Sequence, residues 1–96
     1  MNPILKQITW PATITICEVG PRDGLQMEQH LFSIEQKIAL IERSALAGAK
    51  IIEIGSFVHP KAVPQMADTD EVAKKIKRLE GVEYRALVLN LKGLER

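Results

Sequence analysis

The feature that most constrains this chain is a switch of hydrophobic period, repeated in order: a β-branched stretch, a helical stretch, and the same pair again before a third β-branched stretch. Residues 13–20 read Thr-Ile-Thr-Ile-Cys-Glu-Val-Gly and close on Gly20-Pro21, the pattern of a strand ending in a sharp turn. A polar loop from Arg22 to His30 follows. Ser33 and Gln36 then stand at capping-box spacing, where hydroxyl and amide each satisfy an orphan N–H at a helix start. Ile34, Ile38, Ile41 and Ala45 recur at i, i+4, i+7 and i+11, so one apolar stripe turns inward. Gly48 is placed to end that helix with a left-handed cap.

The pattern repeats. Lys50-Ile-Ile-Glu-Ile54 is short and β-branched, which suits a strand covered on both faces, with Ile52 and Ile54 on one side and Ile51, Glu53 and Gly55 on the other. A loop from Ser56 to about Asp68 carries two prolines and exceeds the usual βα connection. Asp68 or Thr69 can cap a second helix whose buried stripe is Val72, Ile76 and Leu79 and whose end is Gly81. Residues 84–89 form a third strand, Asn90 opens another loop, and Leu91 to Arg96 reads as the start of a helix. A β-α-β-α-β order predicts parallel strands joined by right-handed crossovers. In such sheets chemistry gathers at the C-terminal strand ends, here Glu18–Glu28, Glu53–Asp68 and Asn90.

Composition narrows the class. The 96 residues are 46% hydrophobic and 26% charged, which fits one globular domain spanning residues 1–96 with no second domain. Thirteen basic against twelve acidic residues give a net charge of +1, so no electrostatic reason favours nucleic acid or an anionic membrane as partner. No apolar run approaches the roughly 18 residues of a membrane span. Met1 to Pro11 lacks a continuous apolar core after Lys6, unlike a secretory leader. The single Cys17 suits a reducing compartment, and a cytoplasmic location is expected.

Arg22 and Asp23 are opposite charges pinned between Pro21 and Gly24 at a strand end. A carboxylate there is a hard oxygen donor suited to Mg²⁺ or Mn²⁺, and the guanidinium beside it can stabilise a developing enolate oxygen. The same residues also suit an ordinary turn, with Asp capping backbone N–H groups and Arg in solvent. Glu53 lies in an otherwise apolar strand. It either has a partner such as Arg22, or a raised pKa, or points to solvent at a sheet edge. His30 and His59 lack the close spacing of a metal pair and read as surface residues. Cys17 reads as a small core residue, Met27 and Met66 as loop packing, and Lys74-Lys-Ile-Lys-Arg78 as a solvated helix face. No phosphate-binding glycine pattern is present.

Glu18-Val-Gly-Pro-Arg-Asp-Gly-Leu-Gln26 resembles the first-strand signature of the 3-hydroxy-3-methylglutaryl-CoA lyases, within the DRE-TIM metallolyases. Ile52-Glu-Ile-Gly-Ser-Phe-Val-His-Pro-Lys-Ala-Val-Pro-Gln-Met-Ala-Asp68 resembles that family's second strand and loop, and Asn90-Leu-Lys-Gly93 a third landmark. The resemblance runs in order from about Thr13 to Arg96. It implies the first part of a TIM (β/α)8 barrel, with three strands and two complete helices, and a divalent metal (Mg²⁺ or Mn²⁺) at the C-terminal face. The implied reaction cleaves 3-hydroxy-3-methylglutaryl-CoA into acetyl-CoA and acetoacetate, a step of leucine degradation and ketone body formation, with an acyl-CoA substrate as partner.

Carried over by position, Asp23 resembles the metal-ligating carboxylate, Arg22 the cation that stabilises the thioester enolate, and Glu53 an active-site acid. Gln26, Ser56 and Asn90 fall on nearby positions with weaker claims to substrate contact. Met27 stands where an Asn is common and His59 where a Ser is common. The family's paired metal-ligating histidines and its glycine-loop cysteine would lie beyond residue 96, and His30, His59 and Cys17 do not match them. The chain alone is therefore expected to hold metal weakly and to show no measurable catalysis. Two other readings stand beside this one: a non-catalytic module that self-associates, as a homo-oligomer, through the unpaired edge of its third strand, and a related metallolyase acting on another acyl-CoA.

Overall fold

In a computed structural model of the chain, which describes residues 9–96, the three β-branched stretches become a parallel sheet. Its strands run in sequence order: β1 (Cys17–Glu18), β2 (Ile51–Phe57) and β3 (Glu83–Val88). Helix α1 (Ile34–Leu46) follows β1, α2 (Thr69–Lys75) follows β2, and the short α3 (Leu91–Glu95) follows β3. Most of the eleven N-terminal residues that bear on a leader lie outside the described residues. Among the described residues no helix is long and apolar enough to cross a membrane.

The inward stripe of α1 does what its spacing predicts. Ile41 and Ala45 are buried with Ile52 and Ile54 of β2, Val72 of α2 and Ile76, while Ile34 and Ile38 pack against the same cluster. Ser33 Oγ accepts from Gln36 N (3.1 Å) and Gln36 Oε1 accepts from Ser33 N (2.8 Å), completing the capping box. Gly48 follows the helix at φ +108, a conformation that L side chains rarely adopt. Because the Ser33 hydroxyl satisfies an N–H left over at the helix start, Ser33→Ala is expected to lower stability by about 1 kcal/mol. A urea titration against the parent chain measures it; an unchanged midpoint would show that water replaces the cap.

Several expectations are corrected. The first strand is two residues long rather than eight. Cys17 pairs with Ile51 and Glu18 with Ile52, so residues 13–16 overhang the start of β2 and find no ladder partner; Ile14 and Ile16 stay exposed. The second strand runs on to Phe57, so Ser56 belongs to it rather than to the loop. Helix α2 stops at Lys75, well before Gly81, and Ile76 is extended. The chain leaves the helix because side chains capture the backbone: Glu42 accepts from Lys77 N, the Tyr84 hydroxyl from Leu79 N, and Arg78 donates to Ala73 O. Ile76 and Leu79 still reach the core from this extended segment. Gly81, at φ +84, turns the chain into β3. Met66 packs in the β2–α2 loop as expected, whereas Met27 is exposed.

Simple alternation also fails within β2. The ladder to β3 pairs Glu53 with Arg85 and then Gly55 with Ala86, leaving Ile54 as the extra residue of a bulge. A Cβ on Gly55 would lie 2.6 Å from Thr69 Oγ1, so Gly55 faces α2 rather than sharing the Glu53 side. After the bulge Ser56 takes the place that strict alternation gives to Gly55, and its hydroxyl meets Gln26 from the segment after β1. One face of β2 is thus sealed by helices, while the Glu53–Ser56 face looks onto the chain leaving β1.

Candidate active site

The turn at the end of β1 is a single wide helical turn, Gly20–Gly24, with Pro21 near its start. The Val19 carbonyl accepts from the backbone N–H groups of Arg22 (3.1 Å), Asp23 (2.7 Å) and Gly24 (3.3 Å). The last closes the i→i+5 ring of a π-turn, a rare form that is frequent at functional sites. Glu18 Oε1 accepts from Gly20 N at 2.9 Å and ties the turn to the strand. The sharp turn expected at Gly20-Pro21 is present, and Arg22–Gly24, expected in the polar loop, belong to it. It projects Arg22 and Asp23 from adjacent positions past the C-terminal end of β1.

Arg22 is the hub. Its Nε donates to Glu53 Oε1 at 2.8 Å, and its Nη1 lies 3.5 Å from Asp23 Oδ1. Glu53 sits on the central strand, so the sheet-edge alternative is excluded and the partner alternative holds. Arg22 and Glu53 keep about a fifth of their side-chain surface, 19% and 22%, whereas Asp23 keeps 52%. The half-buried pair is therefore shielded and directional, and the more exposed carboxylate is open to a ligand. The ordinary-turn reading, with Arg22 in solvent, does not survive this contact.

The weaker candidates divide. Ser56 is fully buried, and its hydroxyl donates to Gln26 Oε1 across 3.4 Å, so these two residues meet each other beside the Arg22–Glu53 pair. Asn90 lies at the end of β3, where its Oδ1 accepts from Gly93 N (2.8 Å) and caps α3. No hydrogen bond among the described residues joins Asn90 to Arg22 or Glu53. His30 and His59 are both exposed, and Cys17 is half-buried. A cavity of about 320 Å³ lies between the β2–α2 loop and α3, lined by Phe57, His59, Asn90 and Arg96 among others. It sits apart from the charged cluster.

Asp23 fits a divalent cation in kind, as an accessible hard oxygen at a strand end. It fits as one ligand only: no group of three metal-ligating side chains occurs among the described residues, and Glu53 already accepts from Arg22.

Hydrophobic periodicity does not single out Lys37. It stands three residues after Ile34 and four before Ile41, on the inward stripe itself, and is 4% exposed. A lysine on an apolar helix face is the signal that marks it in sequence. Its ammonium donates to Gln65 O and to Asp68 Oδ1.

Comparison with known proteins shows the family and the fold. Residues 13–92 match the HMGL-like family. Over 87 residues the chain is 52% identical to the mitochondrial hydroxymethylglutaryl-CoA lyase of Macaca fascicularis, covering 91% of this chain and 27% of that protein. The HMG-CoA lyase of Bacillus subtilis superimposes with a TM-score of 0.87 at 50% identity, over 92% of this chain and 30% of that one. An HMG-CoA lyase from Acinetobacter baumannii, in complex with coenzyme A and 3-methylmalate, gives a TM-score of 0.80 at 44% identity, over 82% and 26%. The chain thus spans under a third of the length of these relatives. Its parallel β-α-β-α-β unit corresponds to the N-terminal portion of their barrel.

Proposed function

This chain belongs to the HMGL-like family, and from that premise we propose that it supplies one sector of the active site of a divalent-metal-dependent lyase. The proposed reaction converts 3-hydroxy-3-methylglutaryl-CoA to acetyl-CoA and acetoacetate, as in leucine degradation and ketone body formation. The observation that carries this reading is the Asp23–Arg22–Glu53 cluster, with the guanidinium between two carboxylates at the end of a parallel strand.

In this proposal a base takes the proton of the 3-hydroxyl group. The carbon–carbon bond to the thioester arm breaks, its electron pair becomes the enolate of acetyl-CoA, and the former hydroxyl carbon becomes the ketone of acetoacetate. A proton then returns to the enolate carbon. Arg22 has the task of balancing charge on the enolate oxygen, which develops only as the bond breaks. Glu53 orients the guanidinium through Nε, Asp23 Oδ1 lies 3.5 Å from Nη1, and the N–H groups that neither carboxylate takes are left for that oxygen. Asp23 would hold the metal with ligands from outside the described residues, and the metal would supply Lewis acidity toward substrate oxygens. Gln26, backed by Ser56, borders the same face, and Asn90 retains an amide N–H₂ for substrate.

A chimera tests the reading: residues 13–92 of this chain replace the matching segment of the Bacillus subtilis relative. It is expected to cleave 3-hydroxy-3-methylglutaryl-CoA with Mg²⁺ or Mn²⁺, to lose turnover on chelation and to regain it when metal is restored. A folded chimera that is inert with both metals would overturn the reading. The 96-residue chain alone is expected to show no turnover. A second reading, an interaction module, draws on the exposed Ile14 and Ile16 beside β1 and on Leu91 and Leu94 of α3. Concentration-dependent association of the chain, together with an inert chimera, would favour it.

A further inference from the structure

Burying an ammonium is unfavourable unless it is fully bonded, and an apolar side chain of the same length would fill the same space without that penalty. Lys37 therefore calls for an account beyond packing. Its partners, Gln65 O and Asp68 Oδ1, both belong to the long connection between β2 and α2. The side chain of Gln65 continues the path: its Nε2 donates to Glu28 O at 2.9 Å. Glu28 lies five residues after Asp23, and its own N–H is held by Leu25 O, as Met27 N is held by Asp23 O. The two strand-end loops are thus joined by a chain of bonds that begins at one buried cation.

We propose that Lys37 is a positioning residue for the strand-end site: its ammonium fixes the main chain of Gln65, and the Gln65 amide fixes the loop that carries Arg22, Asp23 and Gln26. Among the described residues, the other side-chain hydrogen bonds that tie that loop to β2 are the Arg22–Glu53 ion pair and the long Ser56–Gln26 bond. The inference deepens the lyase reading and rests on it for the kinetic effect alone; the coupling of the loops stands independently.

The experiment uses the chimera and two readouts. Hydrogen exchange at the amides of Asp23, Gly24, Met27 and Glu28 reports the loop directly. Lys37→Met is expected to speed it about tenfold and to lower kcat by up to about 100-fold, the scale of a misplaced reacting group, with a much smaller change in KM. Lys37→Arg should restore part of both. Gln65→Leu, which leaves the Lys37 grip intact, should speed exchange at the same amides, and it carries the test if Lys37→Met does not fold. Lys75→Met on the exposed face of α2 serves as the control and should change neither. Unaltered exchange in a folded Lys37→Met chimera, or in Gln65→Leu, would overturn the proposal whatever the activity. An inert parent chimera whose loop exchange nevertheless responds to Lys37→Met would defeat the lyase reading and leave the positioning role standing.

Discussion

Replacing Arg22 by Gln in the chimera is expected to lower kcat by about 10²–10³-fold, the range seen when one donor to a developing oxyanion is removed. KM should move much less, because the guanidinium meets full negative charge only in the transition state. Lys in the same place keeps the charge but not the fork. Nε, which holds Glu53 at 2.8 Å, is lost, and a single ammonium has to choose between Glu53, Asp23 and the substrate. Arg22→Lys should therefore recover only part of the loss. A double-mutant cycle with Glu53→Gln gives the sharper check: if Glu53 acts by orienting Arg22, its substitution should matter far less once Arg22 is gone. Fully additive losses would assign Glu53 a separate role, and near-normal turnover of Arg22→Gln would remove Arg22 from the chemistry.

Ile52→Ala is expected to be strongly destabilising. The side chain is fully buried on the central strand and packs among Ile41, Ala45, Val72 and Ile76, which come from both helices and the segment after α2. Truncation removes three carbons where the neighbours are fixed by sheet and helix backbone. The cost should fall within about 2–5 kcal/mol, combining lost transfer energy with the cavity left behind. That is a large share of the roughly 5–15 kcal/mol that holds a typical domain together. Ile16→Ala offers the contrast: at 70% exposed and beyond the end of the β1–β2 ladder, it should stay within about 0.5 kcal/mol. Chemical denaturation of the parent and the two variants measures both, and equal losses would mean that the core is centred elsewhere.

Much of this is legible in sequence because local and tertiary signals agree. Ser33 and Gln36 cap α1 with their own atoms, and the period of Ile34, Ile38, Ile41 and Ala45 is that of the face it buries. Glu53 in an apolar strand calls for a partner, and the βαβ order brings Arg22 near enough to be one. The departures come from forces that hydrophobic period does not register. The length of β1 depends on where β2 begins, a property of a pair and not of residues 13–20. The end of α2 is decided by Glu42 and Tyr84, distant or later residues that accept its next N–H groups. The bulge at Ile54 leaves composition untouched while reversing which of Gly55 and Ser56 faces the site. Lys37 resembles any helix lysine unless its place on the apolar stripe is set against the energy of burying it.

At Gly93 the backbone of α3 comes so close to β2 that a Cβ would lie 2.3 Å from Phe57 O, and Asn90 caps the same turn from three residues upstream. Gly93 therefore answers to steric closure and the Asn90 amide oxygen to capping, which a barrel needs whether or not it turns over substrate, while the Asn90 N–H₂ stays free of the cap. The Arg22–Asp23–Glu53 set answers to charge. The two signatures can consequently part company in descent: a duplicate released from catalysis would keep the glycine and shed the charges. In judging distant sequences, the former vouches for shape and only the latter for activity.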